Sequence, residues 1–268
     1  QVLEKSIGAR LFDRNRARVE PTPVGERLIE RARLLVNQAR DIEQDLRQML
    51  GLEVGLLRIG AGPYPADLSV GTAIGGLVRR YPALMVDLSV GDWSDLIRRV
   101  ASGELELAIA DTGVAKHDDR LFVESLPAHK LSFFCRADHP LVGSAELTLE
   151  ELRRFPLVGT ALPPQLAGLA ARNRMGLRAD LPTGVTAPEI RVDTFALARR
   201  IVMDSDAIGG AVPGQIQDSV ARGELAVLPL ELPWLKTNYG IIRLANRTPS
   251  PAALAFMEIL RDVEARIS

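Results

Sequence analysis

The sequence predicts an α/β protein of two lobes preceded by one long helix, and three observations carry that prediction. From Leu57 onward, short apolar runs alternate with helical stretches. Between Glu26 and Leu50 no Gly or Pro interrupts a regular apolar spacing. Gly51-Leu52-Glu53-Val54-Gly55 separates the two textures as a hinge-like linker. A chain of 268 residues is long enough for two or three small domains and a substantial core.

The chain opens with apolar positions Leu3, Ile7, Leu11 and Phe12 at helical spacing. Asp13-Arg14-Asn15-Arg16-Ala17-Arg18 follows without an apolar anchor and reads as an exposed hairpin or loop. Thr22-Pro23 then supplies an N-cap with proline at the first helical position. Behind it, Leu28, Ala32, Leu35, Ala39, Ile42, Leu46 and Met49 advance in steps of 4 and 3. That alternation is a coiled-coil heptad of about three repeats, a seam that a partner helix covers. The alternative is an amphipathic helix lying on its own domain.

Beyond the linker, strands are expected at 57–61, 85–90, 107–110, 131–135, 157–158, 190–192, 207–211, 226–228 and 239–244. Helices are expected at 67–80, 93–101, 149–155, 166–175, 194–203, 214–222 and 251–267. Such alternation requires crossover connections, mostly parallel sheets and helices on both faces. Two α/β stretches of this kind imply two lobes with a ligand cleft between them, because open α/β sheets bind beyond the carboxyl ends of their strands. The last strand and helix, 239–268, are expected to return to the first lobe.

Composition narrows the function classes. Charged residues make up 25% and hydrophobic residues 47%, with a net charge of −1, so the chain is not coated for nucleic acid along its length. Between Gly8 and Arg18 one short piece is positive inside this nearly neutral chain, with Arg10, Arg14, Arg16 and Arg18 against only Asp13. No apolar run reaches the roughly 18 residues of a membrane span. The start, Gln1-Val2-Leu3-Glu4-Lys5, has neither an initiating Met nor the apolar core of a signal peptide, and reads as the middle of a longer chain. The single cysteine, Cys135, sits in an apolar strand-like run, which favours a core role and a reducing cytoplasm.

The motifs exclude more than they assign. Ile59-Gly60-Ala61-Gly62-Pro63-Tyr64-Pro65 follows a strand, but Pro65 stands where a dinucleotide fingerprint needs its third glycine, and two prolines remove amides that a pyrophosphate would use. His117, His129 and His139 are scattered through polar or turn contexts with no metal-ligand spacing. No nucleophile elbow occurs. No cofactor and no enzymatic activity are expected. Gly209-Gly210 before Val212-Pro213 reads as a tight strand-to-helix turn, and Thr194 as an N-cap.

Residues 3–26, from Leu3-Glu4-Lys5 through Ile7-Gly8-Ala9-Arg10-Leu11-Phe12-Asp13-Arg14 to Thr22-Pro23-Val24-Gly25, resemble the closing part of the LysR-type winged helix-turn-helix. The family pattern there is L-E-x-x-L-G-x-x-L-F-x-R, a basic wing, then L-T-x-x-G and a long helix; Ile7 and Pro21 are mild departures. Arg80-Tyr81-Pro82, Val86-Asp87-Leu88, the stretch from Gly103 to Ile109, and Asp138-His139-Pro140-Leu141 resemble the family's effector domain in the same order.

The resemblance implies a DNA-binding transcriptional regulator whose two-lobed domain, of the periplasmic-binding-protein-like kind with Rossmann-like lobes, senses a small molecule. A solute-binding protein of a transport system is the alternative, since it shares the two-lobed fold. The implied organisation is a winged helix-turn-helix remnant with wing over 1–21, a linker helix over 22–52, a first lobe over 57–132 plus 239–268, and a second lobe over 133–238. The first two helices and most of the recognition helix would lie before Gln1. Partners implied are operator DNA, a small-molecule effector such as a small acid or aromatic compound, and a second or further copies in a homodimer or homotetramer; no membrane is implied.

By the same resemblance Arg14, Arg16 and Arg18 approach DNA, and Leu28, Leu35, Ile42 and Leu46 form the dimer seam. Effector contacts carry over to Gly62, Pro63, Tyr64, Asp92, Trp93, Thr112, Thr160, Thr194 and Val212. Many members place Ser or Thr in the first loop. Gly62-Pro63-Tyr64 stands there instead, which argues against a conventional carboxylate clamp and leaves Tyr64 and Trp93 for aromatic stacking or plain packing.

Overall fold

A computed structural model describes residues 2–15, 18–49, 55–144, 146–173, 175 and 188–267. The chain begins with a short helix α1 (Val2–Ile7), a hairpin of β1 (Phe12–Asn15) and β2 (Arg18–Pro21), and the long helix α2 (Pro23–Met49). Three local bonds explain the opening motif. Glu4 Oε1 accepts from Leu11 N at 2.9 Å, the Thr22 hydroxyl donates to Arg10 O at 2.7 Å, and the same hydroxyl oxygen caps α2 by accepting from Gly25 N at 3.1 Å. Position 25 has no room for a side chain, since a Cβ there would lie 1.9 Å from Leu11 O.

Helix α2 rests on the first lobe through polar contacts. Asn37 Nδ2 donates to Ser102 O at 2.8 Å, and Glu30 pairs with Arg120 at 3.5 Å. Its apolar positions Leu35 and Ile42 are 68% and 61% exposed, so they contribute nothing to packing on this chain. Leu28 is half-buried. The side chain of Leu46 and linker residues 51–54 lie outside the described residues.

Two five-stranded sheets follow. The first contains β3 (Leu56–Ala61), β4 (Met85–Val90), β5 (Leu107–Asp111), β6 (Leu121–Ser125) and β12 (Tyr239–Leu244), in spatial order β4-β3-β5-β12-β6. The second contains β7 (Ser132–Arg136), β8 (Leu157–Gly159), β9 (Ile190–Arg191), β10 (Ile208–Ala211) and β11 (Leu225–Val227), in order β11-β7-β10-β8-β9. The sheets are mixed: β3, β4 and β5 are parallel, as are β8, β9 and β10, while β12 and β7 each enter antiparallel to their neighbours.

The helices that cover these sheets are α3 (63–80, with a π turn over Ala66–Val70), α4 (Trp93–Ala101), α5 (Leu149–Leu152), α6 (Pro164–Arg172), α7 (Phe195–Met203), α8 (Pro213–Ala221) and α9 (Pro251–Ile267). Each sheet is covered on both faces, and the strands show it in their alternation. Phe133 and Cys135 enter one core of the second lobe and Phe134 the other. Leu107 and Ile109 enter one core of the first lobe, Ala108 and Ala110 the other. Cys135 is fully buried, which pushes its thiol up to about 11. Gly209 is required by packing, because a Cβ there would sit 2.5 Å from the Phe134 ring.

Two segments, 126–131 and 228–238, pass between the sheets, and they pair with each other. Thr237 N donates to His129 O at 2.9 Å, Leu131 N to Leu235 O at 3.0 Å, and His129 N to Thr237 Oγ1 at 2.9 Å. Two of the histidines are buried, His139 within the turn expected of it. His129 is 5% exposed, 2.7 Å from the buried Glu264 carboxyl, and His139 is 2% exposed, held by Leu141 N and Asp206 O.

Candidate functional site

A cavity of about 410 Å³ opens between the lobes at the carboxyl ends of the parallel strands from both sheets. The first lobe contributes the loop after β3, the β4–α4 turn and the end of β5. The second lobe contributes the ends of β8, β9 and β10 and one face of α6. Gly62, Pro63, Tyr64, Asp92, Trp93 and Thr160 all line it.

Thr112, Thr194 and Val212 are not in that lining, and each has another task. Thr112 is buried and donates to Asn238 Oδ1 at 3.3 Å, while Asn238 Nδ2 donates to Gln165 Oε1 at 2.9 Å, so the three tie β5, the second crossover and α6 together beside the cavity. Thr194 is exposed and caps α7, accepting from Leu197 N at 3.3 Å. Val212 packs into the core of the first lobe although it belongs to the second.

Tyr64 makes the reciprocal crossing. Its ring enters the core of the second lobe, 6.1 Å from that of Phe195, and its hydroxyl donates to Gly210 O at 3.2 Å. Burial pushes that hydroxyl up to about 12, so it remains a donor across the physiological range. Gln215 Nε2 adds a bond to Asp67 Oδ2 at 3.1 Å. Tyr64 and Val212 therefore plug the lobes into one another along one flank of the cavity.

Much of the remaining wall is apolar and was missed in the sequence. Leu131, Phe133, Leu166, Leu169 and Leu235 line it, joined by the polar groups of Asp111, Gln165 and Asn238. Pro163-Pro164, which starts α6 two residues before the expected helix, was the available signal. Asp111 accepts from Gly113 N at 2.9 Å, yet burial outweighs that bond and raises its carboxyl above the usual range. The Trp93 indole N–H is shielded from solvent with no hydrogen-bond partner among the described residues. Among those residues no group of three or more His, Cys, Asp or Glu is placed to hold a metal ion, and no helix is long and apolar enough to cross a membrane.

Ahead of α2 the hairpin is exposed at Val19, 65% accessible, and at Glu20. Arg14 and Arg18 occupy paired strands, opposite Val19 and Asn15 respectively; Arg16 lies outside the described residues.

Comparison with known proteins agrees with this architecture. Residues 50–265 match the family described as the LysR substrate binding domain. The SDS degradation transcriptional activation protein of a Pseudomonas species is 34% identical over 99% of this chain and 86% of its own length. The HTH-type transcriptional regulator GalR of Pseudomonas putida is 27% identical over 98% of this chain and 65% of its own. Among solved structures, a full-length OxyR variant from Pseudomonas aeruginosa superposes with a TM-score of 0.64 at 21% identity, covering 98% of this chain and 82% of that one. Full-length CbnR in complex with its target DNA superposes with a TM-score of 0.63 at 17% identity, covering 98% and 87%. These relatives are regulators rather than transport proteins, which sets aside the solute-binding alternative. A two-lobed effector domain behind a long helix and a basic hairpin, matched over most of its length, makes this chain a member of the LysR family of transcriptional regulators.

Proposed function

We propose that the cleft between the lobes is the effector site and that its occupancy sets how the protein engages operator DNA. The observation that carries this reading is the cavity of about 410 Å³, walled by both lobes, between which the chain crosses in two paired segments. A ligand there contacts both lobes at once and so favours one inter-lobe geometry over another. Helix α2 is bonded to the first lobe through Asn37 and Glu30, which gives that geometry a route to the hairpin.

In this reading residues 1–21 belong to the DNA-binding unit, 22–52 to the dimerising helix, 57–132 with 239–268 to the first lobe and 133–238 to the second. Arg14, Arg16 and Arg18 bind phosphates, whose recognition by guanidinium is bidentate and salt-dependent. The exposed Leu35 and Ile42, with Leu28 and Leu46, form the seam with a second copy. The effector contacts are those of the cavity lining, Gly62, Pro63, Tyr64, Asp92, Trp93 and Thr160, with Thr112 acting through Asn238. The buried, unpaired Cys135 supports a reducing cytoplasm as its compartment, and no catalytic role is assigned.

Fluorescence anisotropy with the full-length protein and its own upstream DNA tests the reading. Sequence-selective binding that weakens steeply with salt is expected; equal weak binding to every duplex overturns it.

A further inference from the structure

Resting on the reading of the cleft as an effector site, the chemistry of its wall restricts which ligand it accepts. Its second-lobe side is built from Leu131, Phe133, Leu157, Leu166, Leu169 and Leu235, supplied by the first crossover, two strands, one face of α6 and the second crossover. A surface of this kind gains by excluding water from hydrocarbon and offers it no polar partner.

The helix ends at the cavity are unsuited to an anion. Helix N-termini bind anions through free backbone N–H groups. Here α3 starts Pro63-Tyr64-Pro65 and α6 starts with Pro164 directly after Pro163, so two amides are missing from each end. The N-terminus of α4 is already occupied by a carboxylate, since Asp92 Oδ1 accepts from Ser94 N at 2.8 Å and from the Ser94 hydroxyl at 2.6 Å. A further carboxyl, Asp111, stands half-buried in the wall, and its raised affinity for a proton reports how poorly that place tolerates negative charge. The cations of the lining, Arg191 and Lys236, are exposed to solvent at its rim. Neutral hydrogen-bonding groups complete the lining: the buried Thr160 hydroxyl and the solvent-exposed Gln165 and Asn238 amides, which are already bonded to each other and to Thr112.

We propose that the cleft takes an uncharged aliphatic amphiphile, a straight-chain primary alcohol being its simplest form, with the chain against α6 and the hydroxyl at Asp111, Gln165 and Asn238. At ~30 Å³ for each water-sized group, the cavity of about 410 Å³ has room for a chain of about 14 heavy atoms.

Calorimetry with 1-butanol, 1-hexanol, 1-octanol, 1-decanol and octanoate on the full-length protein tests this. Each added methylene should tighten binding about fourfold, or about 200-fold from 1-butanol to 1-octanol, and 1-octanol should bind at least about tenfold tighter than octanoate. An affinity independent of chain length, or tighter binding of octanoate, overturns the proposal. Leu166→Trp, which fills part of the cavity from α6, should make the series level off at a shorter chain; an unchanged series also overturns it. Operator binding is measured on the same sample. Selective operator binding together with a flat alcohol series removes the ligand class and leaves the regulator reading standing. Loss of operator selectivity with the expected alcohol series does the opposite.

Discussion

Replacing Glu264 by alanine should destabilise the effector domain more than any surface substitution, because its carboxyl ties the crossover region to the last helix. Glu264 is fully buried on α9. Its oxygens accept from the Tyr239 hydroxyl at 3.0 and 3.1 Å, and His129 Nε2 lies 2.7 Å from Oε2. His129 stands on the first crossover and Tyr239 begins β12 at the end of the second. The Tyr239 hydroxyl is pushed far up, first by burial and then by the Glu264 charge and hydrogen bond, so it stays a donor. A hydrogen bond to a charged group contributes about 1.5–3 kcal/mol, and removing one member of a buried pair costs about 3–5 kcal/mol because its partner is left buried and unpaired. The second figure should govern, since Glu264→Ala takes a buried partner from His129 and from Tyr239 at once. Urea denaturation followed by circular dichroism measures the loss. The triple variant Glu264→Leu, His129→Leu, Tyr239→Phe, which removes the carboxyl together with these two polar groups, should recover most of it. A loss below about 1 kcal/mol for Glu264→Ala would refute the argument that this carboxyl organises the crossover.

Asp111→Asn should raise stability at neutral pH and change little in acid. A carboxyl whose folded pKa is raised favours the fold below its ordinary value and loses that contribution as pH rises through the raised one, so melting curves across pH 3 to 8 check the sign. Cys135 should resist thiol reagents at pH 8 in the native protein and react fully in urea, because only the thiolate attacks and burial suppresses both it and access; fast native labelling contradicts this. Leu35→Asp with Ile42→Asp should dissociate the oligomer in sedimentation by placing charges in the seam, and an unchanged assembly removes these positions from it. Arg14→Ala and Arg18→Ala should each lower the slope of log affinity against log salt by about 1 without changing sequence preference, whereas an unchanged slope would mean that the side chain touches no phosphate.

Much of the fold was legible because local chemistry wrote it. The strands at 85–90 and 239–244 and the helices at 93–101 and 251–267 fall where expected, since apolar periodicity and flanking Pro, Asp or Gly coincide there. Thr194 was legible as an N-cap for the same reason. Strand β6 was missed. It is an edge strand whose Phe122 is 43% exposed, with the Arg243 guanidinium 4.1 Å from its ring, so the hydrophobic contrast that marks a half-buried strand is weak. The mixed strand directions were also out of reach, because β7 and β12 turn antiparallel through pairings with distant segments rather than through their own sequence.

The cleft divides along the same line. Gly62-Pro63-Tyr64, Asp92-Trp93 and Thr160 sit where a strand end meets a helix start, a place that sequence can mark. The apolar wall from α6, the Thr112–Asn238–Gln165 chain and the mutual insertion of Tyr64 and Val212 depend on how two lobes meet. In the sequence those residues look like ordinary core and loop positions. Tyr64 in particular is committed to the opposite lobe through Phe195 and Gly210, which leaves Trp93 as the aromatic of that pair with an indole N–H still without a partner among the described residues.

Coupling between the two ends of the molecule is the central claim, and linkage makes it measurable without knowing the direction of regulation. Calorimetry of the full-length protein with 1-octanol, run with and without saturating operator DNA, measures it directly. The account predicts affinities that differ by about 5- to 150-fold between the two titrations, matched by the same factor in operator affinity with and without the ligand. Identical ligand affinities in the two titrations would contradict it.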